Sequence, residues 1–304
     1  MIGTRHRSNA RRMSTRADSE RESKVEVSLP SGSMYRRFIH TVAAAQIAAT
    51  TPNPAPDTDA DLVDLPKTVR RYMRFMGVVG RPRDRSFRAQ FAGRFRLAPD
   101  KSWMSCEAWQ YNTGPPPTRV FLMRVRLGHL IPMVARDTYV HGHGRMLGKL
   151  VDLITVVDGK GDEFDIGELV TYLNDAVLLA PSLLLGPNVS WQEVDDNTFA
   201  VTLTDAGRTV TGRVFLDEHG APRDFSTNDR FAALPQGLVR AEWRTPIEAW
   251  TTSNGRPLPG ASSAIWQLPE GSFAYIEGQF VPGHVTYNVL PDGTAEPLST
   301  PADP

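Results

Sequence analysis

The stretch "RSFRAQFAGRFRLAP", residues 85–99, constrains this chain more than any other. Phe87, Ala89, Phe91, Phe95 and Leu97 hold odd positions, while Arg88, Gln90, Arg94 and Arg96 alternate with them. Successive side chains of a strand point to opposite faces, so this period of two predicts a long strand with one apolar face, bent at Gly93. Residues 119–128, "RVFLMRVRLG", repeat the pattern, with Phe121, Met123, Val125 and Leu127 on one side and Arg124 and Arg126 on the other. A sheet built from such strands carries an apolar face that something must cover.

Further strand-like segments follow the midpoint: "VSWQEV", "NTFAVTLTD", "RTVTGRVFLD", "APRDFSTNDRFA", "VRAEWRTPIEAW", "SAIWQLP" and "SFAYIEGQFV". Between them stand the turn signals "DAG", "DEHG", "SNGRP" and "PEGS". Connections this short make neighbouring strands antiparallel. Helical spacing is confined to a few places. In "LPKTVRRYMRFMG" the residues Leu65, Val69, Tyr72, Met73 and Met76 form a stripe, with Pro66 near the start and Gly77 past the end. Arg70, Arg71 and Arg74 lie off that stripe, as a solvated face or an anion-binding patch. "DIGELVTYLNDAVLLAPSLLL" predicts a central helix closed by Pro181, with Asp165 and Glu168 as a variant capping box. "RMLGKLVDLITVVDG" fits a helix or a strand equally. The expected fold is mainly β with inserted helices (α+β): a curved antiparallel sheet, a half-barrel, wrapped over a central helix.

Residues 1–33 are rich in Arg, Ser and Glu, and "TTPNPAPDTDAD" reads as a linker after a short helical segment at 34–49. The expected organisation is a disordered tail and linker over 1–60, one curved-sheet domain over 61–290, and a disordered tail over 291–304. The chain carries 34 Lys and Arg against 34 Asp and Glu, which lacks the basic excess of a nucleic-acid-binding domain. With no apolar run of about 18 residues, no membrane span is expected. The stretch after Met34 is too polar for a secretory signal, so a cytoplasmic location is expected, weakened if Met34 is the true start. The lone Cys106 excludes an intramolecular disulfide and fits a buried small hydrophobe. Neither a G-x-S-x-G elbow, a P-loop nor a dinucleotide fingerprint occurs, and no cofactor is expected. Oligomeric state is left open.

The segments "LPKTVRRYMR", "DTYVHGHGRM", "GELVTYLNDAVLLAPSLL", "WQEVDDNTFAVTLTDAG", "FSTNDRF" and "WQLPEGSFAYIEG", in this order, resemble a bacterial family of uncharacterised proteins. The resemblance covers roughly residues 62–288 and implies no activity. At the level of fold, the expected architecture also looks like the half-barrels of lipoprotein carriers, which implies an apolar cavity plugged by helices.

Candidate chemistry falls in three places. In "DTYVHGHGRM", a strand would put Asp137, Tyr139, His141 and His143 on one face. A metal needs a third ligand, and none is evident, so no metal is expected and the glycines mark a bulge or a close backbone approach. On the central helix, Glu168, Tyr172 and Asp175 share one stripe. Facing a cavity, they form an acid/base site; facing water, they are a solvated edge. Asp229 and Arg230 in "STNDRF" point to opposite faces, and an inward one needs a partner. Trp191, Trp243, Trp250 and Trp266 are core or cavity walls. Two functions compete. One is binding of a hydrophobic small molecule or lipid acyl chain among Phe91, Phe95, Phe121, Met123, Val125, Arg230 and Trp243. The other is cofactor-independent acid/base catalysis on a hydrophobic substrate by Glu168, Tyr172 and Asp175.

Overall fold

The computed structural model of the 304-residue chain describes residues 31–45, 56–127, 131–234 and 237–290. Most of the tail expected over 1–60, and the tail over 291–304, lie outside the described residues. Helices α1 (Ser33–Ala44) and α2 (Lys67–Phe75) precede the meander β1 (Ser86–Phe95), β2 (Met104–Thr113), β3 (Thr118–Leu127), β4 (Ile131–Val140), β5 (His143–Leu150) and β6 (Ile154–Lys160). Helix α3 (Asp162–Leu179) follows. Then come β7 (Val189–Asp195), β8 (Thr198–Asp205), β9 (Arg208–Leu216), β10 (Pro222–Thr227), β11 (Phe231–Leu234), β12 (Gly237–Arg240) and β13 (Glu242–Arg244). The chain continues through β14 (Trp250–Ser253), β15 (Arg256–Pro259), β16 (Ser262–Leu268), β17 (Gly271–Phe280) and β18 (Thr286–Tyr287).

Fourteen strands form one antiparallel sheet in the order β6-β5-β4-β3-β2-β1-β17-β16-β13-β10-β9-β8-β7, with β18 beside β1; β11–β12 and β14–β15 are separate hairpins. The sheet stays open, edged by β6 and β7, but it curls. Helix α3 touches β3 to β6 on one side and β9 and β10 on the other, which a flat sheet could not permit. Strand twist of roughly 20–25° per step accumulates along this path until distant strands meet. The Tyr139 hydroxyl of β4 donates to Asp205 of β8 at 2.6 Å, and Arg208 of β9 donates to the Gly142 carbonyl at 3.2 Å. The fold is the expected half-barrel over a central helix.

The alternation read in β1 and β3 is real, and its two faces are covered differently. Phe87 and Ala89 turn toward α3 and join the main core with Tyr139, Leu169, Leu173 and Val177. Further along the same face, Phe91 lies over the paired glycines Gly93 and Gly278, whose missing side chains leave room for its ring. On the opposite face, Trp109, Tyr111, Val120, Leu122 and Leu147 pack against Met34, Phe38 and Val42 of α1. The expectation of a disordered tail and linker over 1–60 is therefore corrected at Ser33–Ala44, which form α1 and pack on the sheet. A short amphipathic helix gains its stability from tertiary packing, which its composition does not reveal.

Residues 145–159 form the β5–β6 hairpin, turning at Val151 and Asp152 with positive φ. Their helix-or-strand ambiguity has a physical cause. The face of β5 toward α3 carries Gly144, Met146 and Gly148, and the other face buries Leu147 against α1 among His143, Arg145 and Lys149. Glycines inside and a buried leucine outside blur the period of two. Helix α3 starts three residues before the expected cap, at Asp162, and Gly161 occupies the N-cap position without a side-chain hydrogen bond. Asp165 thus lies in the first turn and is not a cap. The stretch "APRDFSTNDRFA" is divided between β10 and β11 instead of forming one strand.

Candidate functional site

Three of the face-sharing residues of β2 and β3 are polar where the strand passes under α3: Gln110, Asn112 and Arg119. They receive the carboxylates of the helix. Arg119 donates through NH1 to Glu168 at 2.9 Å and through Nε to Asp175 at 2.7 Å. Gln110 and Asn112 also donate to Asp175, at 2.6 and 3.3 Å. Glu168 is 2% exposed and Asp175 8%. The stripe of Glu168, Tyr172 and Asp175 faces the sheet, so the reading of it as a solvated edge is overturned. Leu173, Val177 and their neighbours are buried as well, because the sheet surrounds the helix and leaves it no wet side.

Electrostatics set the protonation here. Burial opposes the Arg119 charge, but Asp175 and Glu168 outweigh it and raise its pKa. Asp137, on the same face of β4, is raised by burial, and its Oδ1 is buried without a hydrogen-bond partner among the described residues. Burial, followed by the repulsion of Asp137, pushes Glu168 up to about 7, against the pull of Arg119 and Arg230. Three carboxylates thus face two guanidinium groups, and the surplus negative charge is relieved by holding a proton near neutral pH. Tyr172 is raised by burial, and its hydroxyl lies against Gly114. A small cavity of about 40 Å³ opens beside Glu168, Arg230, Gly167 and Met146. Measured against the ~10–15 Å³ a water needs, it has room for water and not for an acyl chain.

Beyond α3 the same concave face turns apolar. Phe91, Phe95, Phe121, Met123 and Val125 come together with Cys106, Ala108 and Met133, and no residue of α3 belongs to this cluster. Burial pushes the Cys106 thiol up to about 12, so it stays a neutral hydrophobe. Arg230 is half-buried nearby, its guanidinium 4.2 Å from the Trp243 ring centre and 3.3 Å from the Tyr275 hydroxyl. Tyr275 in turn meets Phe95 edge-on at 6.3 Å. The residues singled out in the sequence therefore form two adjoining groups, one ionic and one apolar, joined by Phe121, which lies 4.8 Å under Arg119. Gln110, Asn112, Arg119 and Tyr275 were not anticipated, and Asp137 was weighed only beside the histidines as a metal ligand. The one available signal was polar residues at in-facing positions of otherwise alternating strands.

The histidines do not share a strand face. His141 and Gly142, both with positive φ, form the turn between β4 and β5, and His143 is exposed, with Nδ1 3.7 Å from Asp165. Among the described residues no three His, Cys, Asp or Glu side chains are grouped to hold a metal. The glycines do mark a close approach: a Cβ on Gly144 would overlap the Phe164 carbonyl, and Gly144 donates its N–H to Asp165 at 2.6 Å. Asp229 pairs with Arg240 and accepts from the Thr211 N–H at 2.9 Å, a structural contact. A groove of about 620 Å³ runs along α2, lined by Arg70, Arg71 and Arg74. Each guanidinium there is engaged, with the Val63 carbonyl, Asn197 and Asp59 respectively.

Residues 55–278 match a family of unknown function (DUF6544), and the chain belongs to that family. No curated relative matches it. Among solved structures it is similar to a DUF1329 family protein from Desulfovibrio piger, at 9% identity and a TM-score of 0.41, over 73% of this chain and 92% of that one. It is also similar to a beta-barrel-like protein of DUF1849 from Brucella abortus, at 14% identity and a TM-score of 0.27, over 67% of this chain and 98% of the other.

Proposed function

We propose that this DUF6544 member binds a hydrophobic small molecule or acyl chain on the concave face of its half-barrel. What supports the reading is the apolar strip beyond α3, where Phe91, Phe95 and Phe121 lie half-buried over a buried floor of Cys106, Ala108, Met123 and Val125. Ligand sites are mostly apolar with few polar anchors. Here the anchor is Arg230, which makes no direct ion pair among the described residues and lies over the Trp243 ring at 4.2 Å. An anionic head group at Arg230 would place the chain along the rings of Phe91, Phe95 and Phe121, with Met123 and Val125 beneath them. The test uses cis-parinaric acid, whose fluorescence rises in an apolar site. We expect saturable binding, weakened at least about tenfold by Arg230→Gln or by Phe95→Ala with Phe121→Ala. Folded variants that bind as the parent does would reject the reading.

The second reading, an acid/base enzyme, is favoured by one observation: Glu168 sits near neutral pKa at the wall of a water-sized cavity. Asp175, saturated by three donors, and Tyr172, raised by burial, would then position and not transfer protons.

A further inference from the structure

More than half of the large apolar side chains that the described residues expose lie at one place. They are Ile131 at the start of β4, Val151 and Leu153 in the β5–β6 turn, and Ile154, Val156 and Val157 on the edge strand β6. Leu153 is 78% exposed and Ile154 60%. The register brings them together: Leu127 pairs with Ile131, Met133 with Leu150, and Leu150 with Ile154, so the start of β4 and the β5–β6 turn share one end of the sheet. A contiguous patch of this kind on a folded chain marks an interaction surface.

The acidic groups at its margin are paired, and the exposed charges of the neighbouring helix α1 are basic. Asp152, in the turn itself, is used up by α1: its carboxylate accepts from the Ser33 N–H, the Ser33 hydroxyl and the Met34 N–H. Asp158 is held by Arg145 at 2.9 Å. Helix α1, anchored at this same turn, exposes Arg36, Arg37, Ile39 and His40, and its sequence contains no acidic residue. We propose that the β5–β6 hairpin and the outer side of α1 dock together on an anionic lipid bilayer. Val151, Leu153 and Ile154 enter the acyl boundary, and Arg36 and Arg37 meet the phosphates.

A second copy paired along β6 fits less well. In an antiparallel pairing centred on Val156, Ile154 faces Asp158 of the other copy; centred on Val157, it faces Lys160. Neither register covers Leu153 or Ile131, which immersion in a bilayer does. The inference stands on this surface alone and is independent of the ligand reading.

The experiment is flotation of the full chain with phosphatidylcholine vesicles, with and without phosphatidylglycerol. We expect the chain to float with the anionic vesicles and to be released by salt. Leu153→Asp with Ile154→Asp should cut partitioning at least about tenfold, and Arg36→Glu with Arg37→Glu should do so on anionic vesicles only. All four positions are exposed, so unchanged melting curves would certify the folds. No flotation, or flotation indifferent to both pairs, overturns the proposal. A dimer in sedimentation velocity that Ile154→Asp abolishes, without flotation, assigns the patch to a second copy instead.

Discussion

At the scale of single residues, the informative groups are the carboxylates under α3. Glu168 is raised from its ordinary 4.5 to about 7, first by burial and then by Asp137. Below pH 4.5 it is protonated in both folded and unfolded chains and sets no slope. Between 4.5 and 7 the unfolded chain ionises first, so stability falls as pH rises, by on the order of 3 kcal/mol once pH passes 7. Glu168→Gln, always neutral, should remove that loss, and urea unfolding from pH 4 to 8 reads it directly; a variant with the parent's slope would assign the effect elsewhere. Asp175 behaves differently. Removing it strands Arg119, Gln110 and Asn112 in the interior, so Asp175→Ala should destabilise by about 3–5 kcal/mol. The i, i+4, i+7 spacing of Glu168, Tyr172 and Asp175 revealed that these three side chains share one side of the helix. It could not reveal Arg119, because a strand arginine looks the same whether it faces water or a helix.

At the scale of elements, α1 and β5 show what periodicity conveys and where it fails. A strand buried on one face, as β1 is, announces itself by alternation. One whose inner face is half glycine and whose outer face buries a single leucine, as β5 does with Gly144, Gly148 and Leu147, does not. The reverse applies to α1, whose single apolar stripe of Met34, Phe38 and Val42 is legible but whose partner surface of Trp109, Tyr111 and Leu122 lies far along the chain. Truncation at Asp61 should expose that surface and lower the melting temperature by several degrees. Phe38→Ala in the full chain should cost about 3 kcal/mol, and an unchanged melting curve in both would show that α1 does not dock.

At the scale of the whole molecule, the curl of the sheet depends on close backbone approaches. Gly144 lets the start of α3 lie directly on β5, and Gly142 lets the β4–β5 turn meet Ala206 in the β8–β9 turn. Gly144→Ala would push the Phe164 carbonyl away, and no flexible side-chain end is there to yield. We expect a loss of more than about 2 kcal/mol, whereas His143→Ala beside it, on an exposed side chain, should stay within about 0.5 kcal/mol. Equal effects of the two would contradict the close-approach reading. The sequence by itself determined the fold class: the period of two in β1 and β3 fixes strands, the short turns fix antiparallel pairing, and a single long helix, apolar but for one charged stripe, between them fixes what the sheet must wrap. Only the tertiary structure decided that the charged stripe of α3 is as dry as its apolar one, that Arg119 joins Glu168 to Asp175, and that α1 belongs to the fold. Periodicity records which residues of one segment share a side. Twist summed over many strands decides which segments those sides meet, and no local pattern encodes that sum.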